Sequence, residues 1–549
     1  MSSSKPPSTN GYPSPPTSLS ASAYRQAHQG EGYPANIIRQ YIQEHGLPDE
    51  GGTATLATQL KLPESTLRST LSYYADFSVS ADTGNKICDG TSCFLSRQDA
   101  SRSPTQATQA SCLGHCYREN NSLEHGNIHC ADKDAGKDTE AAIHCLATEP
   151  VTTRNLLDQN PDRTSSSPDK ARYDALRSAL EQTPENVIET ITASGLRGRG
   201  GAAFPTGVKW QACARTPAEQ RYVIANGNEG DPGSYIDRVL LEQDPHSIIE
   251  GVLLCGYAIG ASKGIVFIRS EYPQAASMME RAIDEARDAG VFAAGDFNFD
   301  LTVIHGAGSF VCGEETALIN AIEGLRGEVR LRPPYPTQAG LFGKPTVVDN
   351  VETLANIPYI MARGAESYAS MGTSASPGTK TLCFNHGFTK PGIVEVEFGT
   401  PLQAAIDAVG GGKEPLAAIL LGGPMGCVLT PDRWDTPVCY EAMHKRGLDL
   451  GHGSMIALPE SADKADLLRH WLGFMRQESC GKCAPCSLGS EQSRRIVSQP
   501  LTTASHDELR ELLHLIGQTS LCSFGKEIPR AVSQYMKIFQ SEMIPPKSS

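Results

Sequence analysis

The chain has 549 residues, 39% hydrophobic and 20% charged, with 48 Lys and Arg against 62 Asp and Glu and a formal net charge of −14. That length calls for about three or four domains, and the negative balance excludes a general nucleic-acid binder, whose affinity comes from neutralising phosphates. The longest mostly apolar stretch, 247–261, is interrupted by Glu250 and too short to cross a bilayer, so no membrane span is expected.

In chain order, residues 1–22 contain 8 Ser and 5 Pro and read as a disordered tail. The tail has no apolar core for export and one Lys before Arg25, so a transit peptide is disfavoured and a cytoplasmic location expected. Residues 23–80 read as a helical lead-in, with Ile37, Ile38, Tyr41 and Ile42 on one stripe and Leu67, Leu71 and Tyr74 on another. Residues 81–148 are Cys-rich and weakly patterned, and 149–175 is a linker centred on DQNPDRTSSSPDK (158–170).

From 176 to 376 helices and strands alternate, the mark of an α/β domain. Thr183 and Pro184 start a helix that Gly195 should end, and strands are expected at 222–225, 264–269 and 301–305. Residues 377–458 read as a small α+β domain. In it GIVEVEFG (392–399) alternates as a half-buried strand, followed by a helix at 402–409 and a strand at 417–421. Residues 459–545 are helical: Leu467, Leu468, Trp471, Leu472 and Met475 share a face, Ser505 to Glu508 forms a capping box, and a last helix spans 529–543.

Sixteen cysteines without an export signal point to metal ligation or redox work. ESCGKCAPC places Cys480, Cys483 and Cys486 at C-x2-C-x2-C, and Cys522 follows. One tight loop with a distant fourth thiolate suits a [4Fe–4S] cluster. Zinc also accepts four thiolates, but usually from two C-x2–4-C pairs; free thiols are the third reading. GLRGRGGAAFPTGVKW (195–210) carries five glycines with Arg197, Arg199, Phe204 and Lys209, and reads equally as an anion nest or a structural turn. NGNEGDPGSYIDR (226–238) and HGAGSFVCGEETAL (305–318) each follow a strand, where α/β folds bind ligands. Val311 stands where a dinucleotide fingerprint would need glycine.

Taken together, these segments with IRSEYP, EGLRGEVRLRPPYP and LFGKPTVVDNVETLANIP resemble the NADH-oxidising flavoprotein subunits of respiratory complex I and the diaphorase subunits of NAD-linked hydrogenases and molybdenum formate dehydrogenases, over about 171–543. The resemblance implies a multidomain α/β and α+β fold: a flavin-binding domain (176–376), a β-grasp domain (377–458) and a helical cluster domain (459–545). It implies FMN on Gly198, Arg199, Gly200 and Lys209, with Asn226, Asn228, Glu229, Gly313, Glu314, Asn350 and Thr353 completing the site. NAD(H) would stack on Phe204 near Asp231, Glu315, Arg332 and Tyr335. Asn228, Asp231, Phe310 and Asp349 depart from the residues usual there (Asp, Glu, Tyr and Asn).

The N-terminal part resembles the small [2Fe–2S] partner of that flavoprotein, fused in front as a thioredoxin-like module (81–148). Cys88, Cys93, Cys112 and Cys116 would be its ligands, although only 18 residues separate the two pairs. The other cysteines (130, 145, 213, 255, 312, 383, 427, 439) read as core thiols. The resemblance is nearest to the beta subunit of NAD-dependent formate dehydrogenase, with a molybdopterin-bearing partner subunit. The alternatives are a diaphorase subunit of an NAD-reducing hydrogenase, an NADH:quinone oxidoreductase subunit or, from another class, a non-catalytic β-grasp scaffold with structural zinc. No acid–base catalytic residue is expected, because hydride transfer needs positioning rather than a proton shuttle.

Overall fold

The computed structural model describes residues 32–77, 85–97, 108–124, 126–130, 141–157 and 172–544. The tail at 1–22 and the linker at 158–170 lie outside them. The lead-in is three helices, α1 (Pro34–His45), α2 (Glu50–Gln59) and α3 (Glu64–Leu71). Ile38, Leu56, Leu60 and Leu67 close a core of their own. The lead-in is also tied to the α/β domain: Tyr73 and Tyr74 donate their hydroxyls to the carbonyls of Gly327 and Leu325, both at 2.9 Å.

The Cys-rich segment forms β1 (Lys86–Cys88), α4 (Thr91–Arg97), β2 (Thr108–Ala110), β3 (Ser122–Glu124) and β4 (Asn127–His129). Its sheet order is β2-β1-β3-β4, with β1 and β2 parallel and the other pairs antiparallel. The next strand, β5 (Ala142–Cys145), leaves this sheet and pairs in parallel with a strand at 392–397. The module expected to run to 148 therefore gives its last strand to the β-grasp domain. Gly392 lies opposite Ala142, and a Cβ there would come within 2.2 Å of the Ala142 carbonyl oxygen, so only glycine admits this edge strand.

The α/β domain runs α5 (Pro184–Ala193), α6 (Thr206–Arg215), β6 (Tyr222–Gly227), α7 (Ile236–Gln243), α8 (Pro245–Ile259), β7 (Lys263–Ile268), α9 (Pro273–Asp288), β8 (Asp300–His305), α10 (Glu315–Ile322), β9 (Thr346–Asn350) and α11 (Val351–Arg363). Its four strands are parallel, in the order β8-β7-β6-β9. The chain moves outward from β6 to β8 and then returns to the other side of β6. The strand order thus reverses between β6 and β9, and a crevice opens at their carboxyl ends, where Asn226 and Asn350 are register partners. The apolar stretch around 247–261 is α8, a helix buried nearly all round in the core.

The β-grasp domain contains β10 (Thr379–Phe384), β11 (Gly392–Glu397), α12 (Leu402–Ala408), β12 (Leu416–Leu421), β13 (Cys427–Leu429) and β14 (Ser454–Pro459). The sheet order is β13-β12-β14-β10-β11-β5, with β10 and β14 parallel. The expected half-buried strand is buried on both faces. Glu395 on its polar face is fully buried, because its carboxylate accepts the N–H groups of Val151 (3.0 Å), Thr152 (2.9 Å) and Thr153 (2.9 Å) from the segment after β5.

The C-terminal helices are α13 (Lys464–Glu478), α14 (Ala484–Val497), α15 (Thr503–Thr519) and α16 (Ser523–Ile538). Two expectations are corrected here. The capping box of α15 uses Thr502 and Ser505, whose hydroxyls take each other's backbone N–H at 3.2 and 2.9 Å; starting there turns Leu509, Leu513 and Ile516 inward. The last long helix starts after Cys522, with Pro529 inside it. Six of the eight thiols expected in the core are buried, while Cys130 and Cys145 are half-exposed.

Candidate functional site

The glycine loop joins α5 to α6 at the mouth of the crevice. Gly201 has φ +108°, a conformation open to glycine, and Gly200 lies against the Asn350 side chain. Arg199 is fully buried and differs from expectation. Its guanidinium donates to the carbonyls of Thr379 (3.0 Å) and Arg197 (2.7 Å) and to the Tyr368 hydroxyl (2.7 Å), and sits 4.7 Å over the Phe398 ring. Its backbone N–H goes to the Thr353 hydroxyl at 2.8 Å. Arg199 therefore locks the loop onto the β-grasp domain and has no side-chain donor turned to the crevice. The loop ends at α6, whose N-terminus has no side-chain cap. The Thr206 hydroxyl there is buried without a partner among the described residues. An uncapped helix N-terminus after a glycine loop suits a phosphate.

Lys209 reaches back to β9, donating to the Val348 carbonyl at 2.7 Å and pairing with Asp349 at 2.8 Å. The second Asp349 oxygen accepts the Trp210 indole N–H at 2.8 Å, so both oxygens of the aspartate at this position are engaged. Burial pulls the Lys209 ammonium down, but Asp349 and Glu315 outweigh it and hold it above its usual range. Asn226 donates to the Gly313 carbonyl at 2.9 Å and accepts the Asn228 N–H at 3.1 Å, while Asn228 donates to the Phe310 carbonyl at 3.3 Å. These bonds bring the segments at 226–238 and 305–318 together.

Glu314 caps α10, accepting the N–H groups of Thr316 and Ala317, both at 2.9 Å. Arg332 pairs with Glu314 and lies 3.2 Å from Glu315. Burial raises the Glu315 carboxyl, against the pull of Lys209 and Arg332. Asn350 caps α11 through the Thr353 N–H at 3.2 Å and donates to Asp237 at 2.6 Å. Phe204 and Tyr335 are 50% and 52% exposed, so two flat rings remain open for stacking. Asp231 has one buried oxygen with no partner among the described residues, and burial pushes its carboxyl up to about 7. An unfilled acceptor, an uncapped helix end and open aromatics fit a flavin nucleotide and a nicotinamide nucleotide.

The C-terminal thiols also converge. Cys480 and Cys486 are buried, and Cys483 and Cys522 half-buried. Cys483 and Cys522 are the N-cap residues of α14 and α16. Burial and then the neighbouring Cys483, Cys522 and Cys480 push Cys486 up to about 12. Backbone N–H groups of Gly525 and Phe524 point at the Cys522 sulfur. Four thiols crowded into mutual repulsion and served by N–H donors fit a cluster that takes four thiolates.

The Nuo51 FMN-binding domain of complex I matches residues 191–359, and the iron–sulfur binding region of NADH-ubiquinone oxidoreductase-F matches 466–545. The chain is 39% identical over 404 residues to the NADP-reducing hydrogenase subunit HndC of Solidesulfovibrio fructosivorans, covering 71% of this chain and 82% of that one. It is 36% identical over 408 residues to an NADH-quinone oxidoreductase subunit of Rhizobium meliloti, covering 72% and 97%.

The chain belongs to the NADH-oxidising flavoprotein family of complex I and the NAD-reducing hydrogenases.

A crystal structure of NAD+-reducing [NiFe]-hydrogenase superposes on this flavoprotein with a TM-score of 0.82, 26% identity and 94% of each chain covered. That superposition matches the mixed α/β architecture and its helical C-terminus. FMN-binding and [4Fe–4S]-binding domains are thereby present in the flavoprotein, and no helix among the described residues is long and apolar enough to cross a membrane.

In the N-terminal module Cys88, Cys93, Cys112 and Cys116 are at most 1% exposed, and the sulfurs of Cys112 and Cys116 are 3.5 Å apart. Hydrogen bonds with Cys116 and Cys88 hold the Cys112 thiol well below its usual range, while Cys88 is correspondingly raised by Cys112 and Cys93. The Gly114 N–H lies 3.3 Å from the Cys112 sulfur, and the Gly233 N–H points at Cys116. Gly233 has φ +104°, and a Cβ on it would strike Ile456 at 2.8 Å. The acidic loop at 226–238 thus faces the crevice at the ends of β6 and β9 on one side and the N-terminal thiols on the other.

Three residues in this region escaped sequence reasoning. His452, in the featureless run GLDLGHGSM, contacts Glu229 and Asp237. Glu478, two residues before Cys480, accepts the Phe310 N–H at 3.0 Å and bonds the Ser111 hydroxyl; its place inside the cysteine motif was the available signal. Phe524, after Cys522, packs 5.6 Å from the Phe310 ring.

Proposed function

We propose that this flavoprotein passes electrons between NAD(H) and iron–sulfur clusters through FMN, as the beta subunit of an NAD-dependent formate dehydrogenase whose molybdopterin-bearing partner handles formate and carbon dioxide. FMN, when bound, exchanges electron pairs with nicotinamide as hydride and passes electrons singly to clusters. The chain's part is to hold and orient. Gly198, Gly200, Asn226, Asn228, Glu229, Gly313, Glu314, Asn350 and Thr353 line the crevice, with Arg199 and Lys209 bracing it from behind. Phe204 and Tyr335 offer stacking faces, and Asp231, Glu315 and Arg332 polar contacts, to NAD(H). Cys480, Cys483, Cys486 and Cys522 hold a [4Fe–4S] cluster, and Cys88, Cys93, Cys112 and Cys116 a [2Fe–2S] cluster.

The observation that carries this reading is the burial of four N-terminal thiols against the loop that lines the flavin crevice. The β2-β1-β3-β4 sheet beside them supports a thioredoxin-like module, although its strands are only three residues long. Formate rests on the sequence resemblance of the fused module, CLGHCY and Asn228. A hydrogenase partner is the second reading, favoured by the similarity to HndC and to the NAD+-reducing hydrogenase structure. The test is purification of the chain with its native partners, followed by NAD+ reduction with formate or with hydrogen as donor. Formate-driven reduction and bound molybdenum support the first reading; hydrogen-driven reduction and bound nickel replace it with the second.

A further inference from the structure

The structure holds one histidine where three segments of the flavin crevice meet. His452, in the loop before β14, is 8% exposed. Its Nδ1 lies 2.8 Å from the Ser234 hydroxyl and 3.5 Å from a Glu229 oxygen; its Nε2 lies 3.3 Å from Asp237 and 3.3 Å from the Asn350 amide nitrogen. Both carboxylates are built as acceptors. Glu229 receives the N–H groups of Asp237 (3.2 Å) and Arg238 (3.0 Å), and Asp237 those of Glu352 (3.2 Å) and the Asn350 side chain. With both nitrogens protonated the ring donates to Asp237 from Nε2, beside the Asn350 amide that donates to the same carboxylate, and to the Ser234 hydroxyl from Nδ1, with Glu229 3.5 Å away. The neighbouring Gly451 carbonyl group borders Gly201 of the glycine loop. One imidazolium therefore joins the acidic loop, the start of α11 and the β-grasp domain.

We propose that His452 is a positioning residue for the flavin: its doubly hydrogen-bonded imidazolium clamps the acidic loop to the Asn350 cap, and the crevice keeps its flavin-binding shape only while that clamp is closed.

This deepens the FMN reading and rests on it. The groups facing the ring are Glu229, Asp231 and Asp237 from the acidic loop and α7, Lys380 from β10, and Asn350 at the start of α11. Burial pulls the imidazole down, but Asp237 and Glu229 outweigh burial and Lys380 and hold it at about 9. Burial and Asp237 push Glu229 up to about 8, against His452. For a group raised on folding, the contribution is complete below the free histidine value of about 6.5 and is lost as pH rises through about 9.

The experiment is FMN binding to the full chain from pH 6 to 10, followed by flavin fluorescence quenching, for the wild type and His452→Gln. Wild-type affinity is expected to be flat to about pH 8 and to fall about tenfold by pH 10, as one charge-assisted hydrogen-bonded clamp is lost. His452→Gln should bind about tenfold more weakly at pH 7, with no further fall to pH 10. A wild-type affinity that stays flat to pH 10, or a variant that keeps the wild-type affinity or its pH-dependent fall, overturns the clamp. The wild-type profile needs no variant, so misfolding of His452→Gln leaves the proposal falsifiable. A wild-type chain that binds no FMN at pH 7 refutes the flavin reading itself, a distinct result.

Discussion

The Ser111 hydroxyl donates to the carboxylate of Glu478 across 367 positions of sequence. Ser111 precedes Cys112, Glu478 lies two residues before Cys480, and the other Glu478 oxygen takes the backbone N–H of Phe310, whose carbonyl accepts from Asn228. The segments proposed to hold three cofactors thus meet on one half-buried carboxylate, which desolvation raises above its usual range. Nearby contacts hold the same joint: Phe94 stacks on His470 at 4.1 Å, and the Asn385 amide donates to Ser92 at 3.0 Å.

Glu478→Ala should loosen the N-terminal module while leaving the flavin domain folded. Each hydrogen bond to a charged group is worth about 1.5–3 kcal/mol. The expected result is faster proteolytic release of the region before residue 150, with flavin content unchanged; equal protease resistance of variant and wild type would refute it.

On the proposed function, in which each thiol set holds its own cluster, Cys112→Ser should cost about two irons per chain and leave the C-terminal cluster in place. Cys522→Ser should cost about four irons and leave the N-terminal set. Iron analysis with EPR of the reduced protein checks both. If Cys112→Ser retains all its iron, the N-terminal thiols hold no cluster.

Asn228→Asp should lower the flavin midpoint potential. The Asn228 amide lies in the crevice and donates to the Phe310 carbonyl. A carboxylate there adds negative charge and opposes the charge that the flavin gains on reduction. Redox titration of the flavin absorbance is the measurement, and an unchanged or raised potential would count against it.

Lys380→Met should destabilise the chain strongly. Lys380 and Glu352 are both fully buried and paired across the boundary between the α/β and β-grasp domains. Removing one partner of a buried pair typically costs about 3–5 kcal/mol, because the other charge is left uncompensated. Adding Glu352→Gln should recover part of the loss in thermal unfolding.

What the sequence by itself determined was whatever depends on short spacing. C-x2-C-x2-C needs one loop, and the alternation of strands and helices and the cap at Thr183 follow from patterns within about ten residues. The tertiary structure decided what depends on contacts between distant segments. Alternation in GIVEVEFG assigned Glu395 to a polar face, and only the arrival of residues 142–153 shows that face to be buried. The resemblance implies Arg199 as an FMN contact in the glycine loop, yet acceptors more than 160 residues away turn its side chain inward. His452 belongs to no motif at all. Its surroundings are assembled from residues 229–237 and 350, and sequence periodicity has no term for neighbours that only folding brings together.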